Sequence, residues 1–424
     1  MLFCDFMSFT ANHGCIKIFT NNLTKFYFMK YFNIHPFRLI PLLSVCFMFL
    51  LVVSCTSEEE APVGVDPAIE LGCDFFLTDQ TLIDNPNALV DYVVACNAPV
   101  EGKLTISPGV VIQFIKDGGL HFQTSSSIYA VGTADKPIIM TGTDSNPGWW
   151  AGLMFRTNDN SNIMEHVTVS NGGGDQFNGH GFSNVQVYSD AALIMKNCTI
   201  SHSQEIGLKV HSSNAQVSLE NNTFTQNVLP LEIAYQIAHK ASATNDFSGN
   251  DVDRVLLIPN SSAIEKDVIW QNINVPYRSM GNIGIGGKGT LTIEPGAVLE
   301  MTPGSGIGSI DGGLKIVGTE ALPIIIRGEY PGAGSWKGIY LNSTHVINEI
   351  GFAKISDAGE NPTVNTGAIG LWYNAKLNIH DTAFTELASC GVYGKLHFGQ
   401  EENPNYSSSN LTFSNASCKE LFER

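Results

Sequence analysis

Charge is scarce in this sequence. Charged residues make up 15% of 424, and only 23 of them are basic against 40 acidic. The formal net charge of −17 repels phosphate backbones, which excludes nucleic acid as an expected partner. It also disfavours a polyanionic polysaccharide unless a cation bridges the two. Zinc-type cysteine spacing is missing: nine cysteines include no CxxC, so no metal site of that kind is expected. No GxSxG elbow occurs, which removes the usual signal of a serine hydrolase. The repeat units described below contain no helix-period apolar pattern, which excludes a helical bundle. Glycine, by contrast, is abundant at 41 residues. Low charge with high glycine suits a turn-rich β protein that buries much of its chain.

The N-terminal region reads as delivery apparatus. Lys30, His35 and Arg38 precede a mostly apolar run from Leu39 to Val53, interrupted by Pro41. This is the charged-then-apolar order of a secretory signal, and the run is short for a membrane-spanning helix. It ends Val52-Val53-Ser54-Cys55, which resembles the lipobox of bacterial lipoproteins. The resemblance implies cleavage before Cys55 and lipidation of its thiol. The acidic run Thr56-Ser57-Glu58-Glu59-Glu60 resembles the surface-export signal of some Gram-negative lipoproteins. Residues 1–28 lie upstream of any such signal and read as a mis-called gene start, with Met29-Lys30 the better beginning. The expected organisation is therefore a signal peptide over 29–54, an acidic linker over 55–72 and a folded domain from 73 onward. The expected location is the outer membrane of a Gram-negative bacterium, lipid-anchored and facing outward. Export permits disulfides among the cysteines that would remain, Cys73, Cys96, Cys198, Cys390 and Cys418. Cys73 with Cys96 is the first candidate pair, Cys390 with Cys418 the second.

Internal repetition sets the fold. Lys196-Asn197-Cys198-Thr199-Ile200-Ser201 aligns with Glu220-Asn221-Asn222-Thr223-Phe224-Thr225, and Met164 to Ser170 aligns with Met195 to Ser201. The last of these steps is longer because of a loop around Gly172–Phe182. Repeats of this length cannot bury an apolar face alone, so they must stack as a solenoid. Stacking predicts one interior column of Val169, Ile200 and Phe224. It also places Asn197 and Asn221 at one corner, where asparagine tolerates the turn and amides can stack. A longer duplication overlies the short one. Gly102-Lys103-Leu104-Thr105-Ile106-Ser107-Pro108-Gly109 returns as Gly289-Thr290-Leu291-Thr292-Ile293-Glu294-Pro295-Gly296, an offset of 289 − 102 = 187. Val131-Gly132-Thr133 returns as Val317-Gly318-Thr319, and Trp150-Ala151-Gly152-Leu153 as Trp336-Lys337-Gly338-Ile339. This divides the domain into a first half, 73–250, and a second, 251–424.

The order LTIxPG, VGTxxxPI, WxG, then short coils with N-T-I, resembles bacterial right-handed β-helix repeat proteins of the pectate-lyase-like (pectin lyase) superfamily. The resemblance covers nearly all of residues 73–424. It implies an all-β, right-handed, single-stranded parallel β-helix in two duplicated halves, and it does not by itself imply an activity.

Chemistry on that fold would need paired carboxylates or a calcium cluster. Polygalacturonase-like enzymes carry Asn-x-Asp, Asp-Asp, Gly-His-Gly and Arg-x-Lys in order. Here only Gly179-His180-Gly181 is present, with Asp159 in Thr157-Asn158-Asp159-Asn160 upstream. His180 and Asp159 are the catalytic candidates. Asp144, Asp251 and Asp253 form no recognisable calcium set, so calcium is expected only if the protein is a lyase. The run Gly281–Gly289 lacks the residues of a phosphate loop and reads as a turn entering the second half. Trp150 and Trp336 share a repeat position and read as structural. Trp149 and Trp372 do not, and are the better candidates for contacting a sugar ring, with Tyr188, Tyr340 and Tyr373 able to add to such a surface. The reading that follows is a non-catalytic cell-surface lipoprotein whose β-helix face binds glycan or a surface partner. The rivals are a polysaccharide lyase or hydrolase and a structural spacer. Cys55→Ala should leave the protein unlipidated and in the soluble fraction on cell fractionation; continued membrane association would refute the anchor.

Overall fold

The computed structural model describes residues 65–174, 182–359 and 367–424, which fall in one compact unit. The expected leader, Cys55, most of the linker and His180 lie outside the described residues. Short strands dominate, and every strand-to-strand ladder is parallel, joining each strand to its counterpart one coil away. Three strands make a coil. Ser183–Val187, Ala192–Lys196 and Thr199–Ser201 form one, and Ile206–Val210, Gln216–Glu220 and Thr223–Thr225 the next. Inward and outward residues alternate, as in Val217 and Leu219 against Gln216 and Glu220. A parallel sheet needs such cover on its inner face, and stacking supplies it.

The interior column forms as the repeats require. Val169 pairs with Ile200 and Ile200 with Phe224, all fully buried. Aromatic rings stack along the core, Phe114 on Trp150 at 4.1 Å between centroids and Phe122 on Phe155 at 4.7 Å. The duplicated tryptophans are equivalent in detail. The indole N–H of Trp150 donates to the Ser170 carbonyl at 2.7 Å, and that of Trp336 to the Ser356 carbonyl at 2.7 Å. Pro108-Gly109 and Pro295-Gly296 also match, with glycine φ of 90° and 88°, a backbone that only glycine enters without strain. Disulfides join Cys73 to Cys96 and Cys390 to Cys418, each between adjacent coils.

The corner asparagines differ from expectation in one respect. Asn197 and Asn221 do adopt positive φ, 52° and 54°, but their side chains are exposed. The stacked amides belong to the following position, which the left-handed residue turns inward. Asn222 Oδ1 accepts the backbone N–H of Cys198 at 2.9 Å, and Asn245 Oδ1 that of Asn222 at 2.9 Å. A second ladder runs from Ser203 through Asn227 to Asn250 at 3.0 and 3.1 Å. These amides satisfy backbone groups that the turn strips from the sheets. Cys198, which starts the first ladder, is buried, and burial pushes its thiol up to about 12.

The two halves are not simply stacked. One 13-stranded sheet runs through both, from Asn97–Val100 to Thr412–Ser414. The first half's other two sheets end at Gln216–Glu220 and Thr223–Thr225, and two new ones begin at Val268–Trp270 and Ile283–Gly286. In the shared sheet the first half contributes Gly119–Phe122, whose sequence counterpart, Ile307–Ile310, lies in a new sheet. The second half contributes Val298–Met301 instead, the counterpart of Val111–Phe114. The second copy is therefore turned by one strand position about the solenoid axis. The adjustment falls between Leu229–Ala234 and Tyr277–Ser279, where the short 3-10 segment Tyr235–Lys240 replaces a strand. Phe224→Ala should destabilise the fold by about 3–5 kcal/mol in urea unfolding, because the coils on either side cannot close the void; a loss below about 1 kcal/mol would contradict the stacked column.

Candidate functional site

Most charged side chains on the outside of the shared sheet pair with one another across strands; Lys354 is exposed and forms no ion pair among the described residues. Lys209 pairs with Glu232 at 2.8 Å, and Arg278 pairs with Glu329. Glu300, only 2% exposed, is held by Arg254 and by Arg327, the latter at 2.7 Å. Burial pushes the Glu300 carboxyl up, but hydrogen bonds and charge from the two arginines outweigh it and hold it below the usual range. These paired residues brace successive coils and offer no free acid or base.

The sequence candidates disperse. Asp159 sits in a turn and accepts the Ser161 backbone N–H at 2.8 Å, a bond that lowers its pKa. Asp144 and Asp253 cap turns in the same way, accepting the backbone N–H of Asn146 and of Asn250. Among the described residues no group of three or more His, Cys, Asp or Glu side chains is arranged to hold a metal ion; His380 meets Asp381 at 2.9 Å and Glu349 at 3.4 Å, as ion pairs. Trp149 is half-buried against the core and donates its indole N–H to the Thr143 hydroxyl at 2.8 Å. Trp372 is also half-buried, within 5.9 Å of Tyr340 and 5.8 Å of Tyr373. Tyr373 in turn stacks on His397 at 4.3 Å.

Tyr340 borders a groove of about 530 Å³ on the new sheet that begins at Ile283–Gly286. The run Gly281–Gly289, read above as a turn, is in fact half strand: Ile283–Gly286 is extended, and the turn follows at Gly287, φ 59°. Ile283 and Ile285 point inward and are buried, so Gly284 and Gly286 face out. Pairing in register sets Gly284 beside Gly308, Gly308 beside Tyr340 and Tyr340 beside Gly370. Two adjacent outward positions thus lack side chains and floor the groove. Ala263 borders it on one side, Tyr340 and Lys337 on the other, and Asn282, Ile310 and Asp311 stand at its rim. A side chain added at Gly308 would meet open space, so no packing requires glycine there. Burial raises the Tyr340 pKa, and Tyr373 adds to it, so the phenol stays protonated and offers a face and a hydroxyl.

Residues 99–252 match the family model described as a right handed beta helix region. With the parallel ladders of all its sheets, this shows that the described residues fold as a right-handed parallel β-helix. No curated protein and no solved structure matches it. What the β-helix itself demands can be separated from what it does not by comparing the two halves. The first half's corresponding outward row reads Pro99, His121, Met154 and Gln186, with no glycine in it. The row Gly284, Gly308, Tyr340 and Gly370 is peculiar to the second half. Its signal in the sequence was the alternation of isoleucine with glycine in Ile283–Gly286 and Ile307–Gly308.

The charged row carries its own pH dependence. Because the Glu300 pKa is lowered on folding, its stabilisation is complete above the unfolded value of about 4.3 and is lost as pH falls through the folded value. Thermal unfolding of Glu300→Gln should show reduced stability at pH 7 and a smaller loss on acidification to pH ~3 than the parent shows; parallel curves would contradict it.

Proposed function

We propose that the protein is a non-catalytic cell-surface lipoprotein, anchored through Cys55, that binds glycan in the glycine-floored groove of its second half. The groove carries the reading. A flat floor without side chains beside a half-buried tyrosine suits the face of a sugar ring, which stacks on aromatic surface while its hydroxyls reach the polar rim. Rigid strands position both floor and wall, so little ordering is needed on binding. The acidic surface favours an uncharged glycan, or an anionic one bridged by a cation. The lipobox resemblance and the acidic run after Cys55 support outward display, where such a ligand would be met.

Gly308→Trp fills the groove from a position with open space above it. It should abolish binding on a glycan array and leave the melting temperature unchanged. Tyr340→Ala should weaken binding at least tenfold, about 1.4 kcal/mol. Unaltered binding in Gly308→Trp would refute the groove. Turnover of pectic, alginate or other polysaccharide by the parent, with or without calcium, would refute the non-catalytic reading.

A further inference from the structure

We propose that the groove continues past Ala263 into a second subsite at the junction of the two halves, and that the two together take the uncharged, hydroxyl-rich chain of a neutral glycan lying along the solenoid axis. This rests on the groove reading above and specifies its ligand. Where the first half's sheet ends at Gln216–Glu220, the 3-10 segment Tyr235–Lys240 takes the place of the next strand. A cleft of about 750 Å³ opens there, lined by Gln236, His239, Lys240, Glu265, Lys266 and Asp267 among others. Ala263 lines both this cleft and the groove. The shared sheet fixes the angular order of the others: the sheet ending at Gln216–Glu220 and the groove sheet each follow it along the chain. Cleft and groove therefore follow one another along one face.

One buried atom in the cleft, Gln236 Oε1, has no hydrogen-bond partner, and the neighbouring His239 ring interacts with the Gln236 backbone. The Gln236 amide N–H is already donated to the Ser262 carbonyl at 2.6 Å, which leaves its oxygen as the orphan. Buried polar atoms are normally paired, and an orphaned acceptor beside an open cleft is suited to a hydroxyl donor from a ligand. Burial, and then the charge of Lys240, hold the His239 imidazole below its ordinary range. At neutral pH it is an uncharged donor–acceptor. The remaining charges are balanced, Lys240 and Lys266 against Glu265 and Asp267, so the cleft has no excess sign to draw a uronate or a phosphate. A sugar hydroxyl both donates and accepts, and matches this mixture.

The purified full chain should be titrated calorimetrically with short and long oligomers of xylan, mannan and β-glucan, and with oligogalacturonate. In the neutral series that binds, affinity should rise with length until both subsites fill. Gln236→Ala and His239→Ala should each cost long oligomers about tenfold and leave short ones unchanged. Gln236→Met, similar in size but without the acceptor, should behave likewise and controls for disturbance of the 3-10 segment. If long-oligomer affinity survives all three changes while Gly308→Trp still abolishes binding, the second subsite is wrong and the groove stands. If the parent binds none of the oligomers, the groove and the subsite both fail. Tighter binding of oligogalacturonate than of any neutral oligomer would overturn the ligand class.

Discussion

The hydrogen-bond ladder between successive coils sets each residue beside its counterpart, roughly 4.8 Å away. Everything else in the molecule is arranged around that register. Inside, it aligns Val169, Ile200 and Phe224 into a column and lets Asn222 and Asn245, or Asn227 and Asn250, pass hydrogen bonds from coil to coil. Outside, it turns isolated residues into rows. Alternating charges in a row become a brace, as with Arg254, Glu300 and Arg327. Glycines in a row become the floor of a groove.

The turn of the second copy by one strand position has a cost and a consequence. Two of three sheets are interrupted, and a 3-10 segment with an orphaned polar atom fills the gap. Regular packing is broken there, and breaks in otherwise consistent structure tend to mark sites. The polar cleft lies at this break and the apolar groove immediately beyond it. The two halves share inward residues such as Leu104 with Leu291 and Trp150 with Trp336, and they differ on this outer face: Pro99, His121 and Met154 in one, Gly284, Gly308 and Tyr340 in the other.

Much of the fold was legible because solenoid repeats expose their period directly. The offset of Trp150 and Trp336 named a structural ring, and both indoles bond a carbonyl twenty residues on. Interior columns followed from aligning Ile200 with Phe224. The amide ladder was misplaced by one residue because a left-handed Asn221 and an inward Asn222 are adjacent and chemically identical; only backbone φ tells them apart. The one-position turn of the second copy left no mark, since sequence equivalence says nothing of which sheet a strand joins. The groove was partly visible and misread. Glycine signals a turn far more often than it signals an empty outward position on a strand, and Ile283–Gly286 is the second kind. Trp149 stood out because no tryptophan occupies its repeat position in the second half; its indole is hydrogen-bonded to Thr143 and its half-buried ring packs against the core.

The central claim is that an empty outward row on one face of the solenoid is a binding site. A crystal structure with a bound neutral oligosaccharide tests it most directly. The account predicts a sugar ring over Gly284 and Gly308, its face against Tyr340, and the chain running past Ala263 parallel to the solenoid axis. An oligosaccharide seated on either of the other faces, or lying along the strands of a single coil, would contradict it.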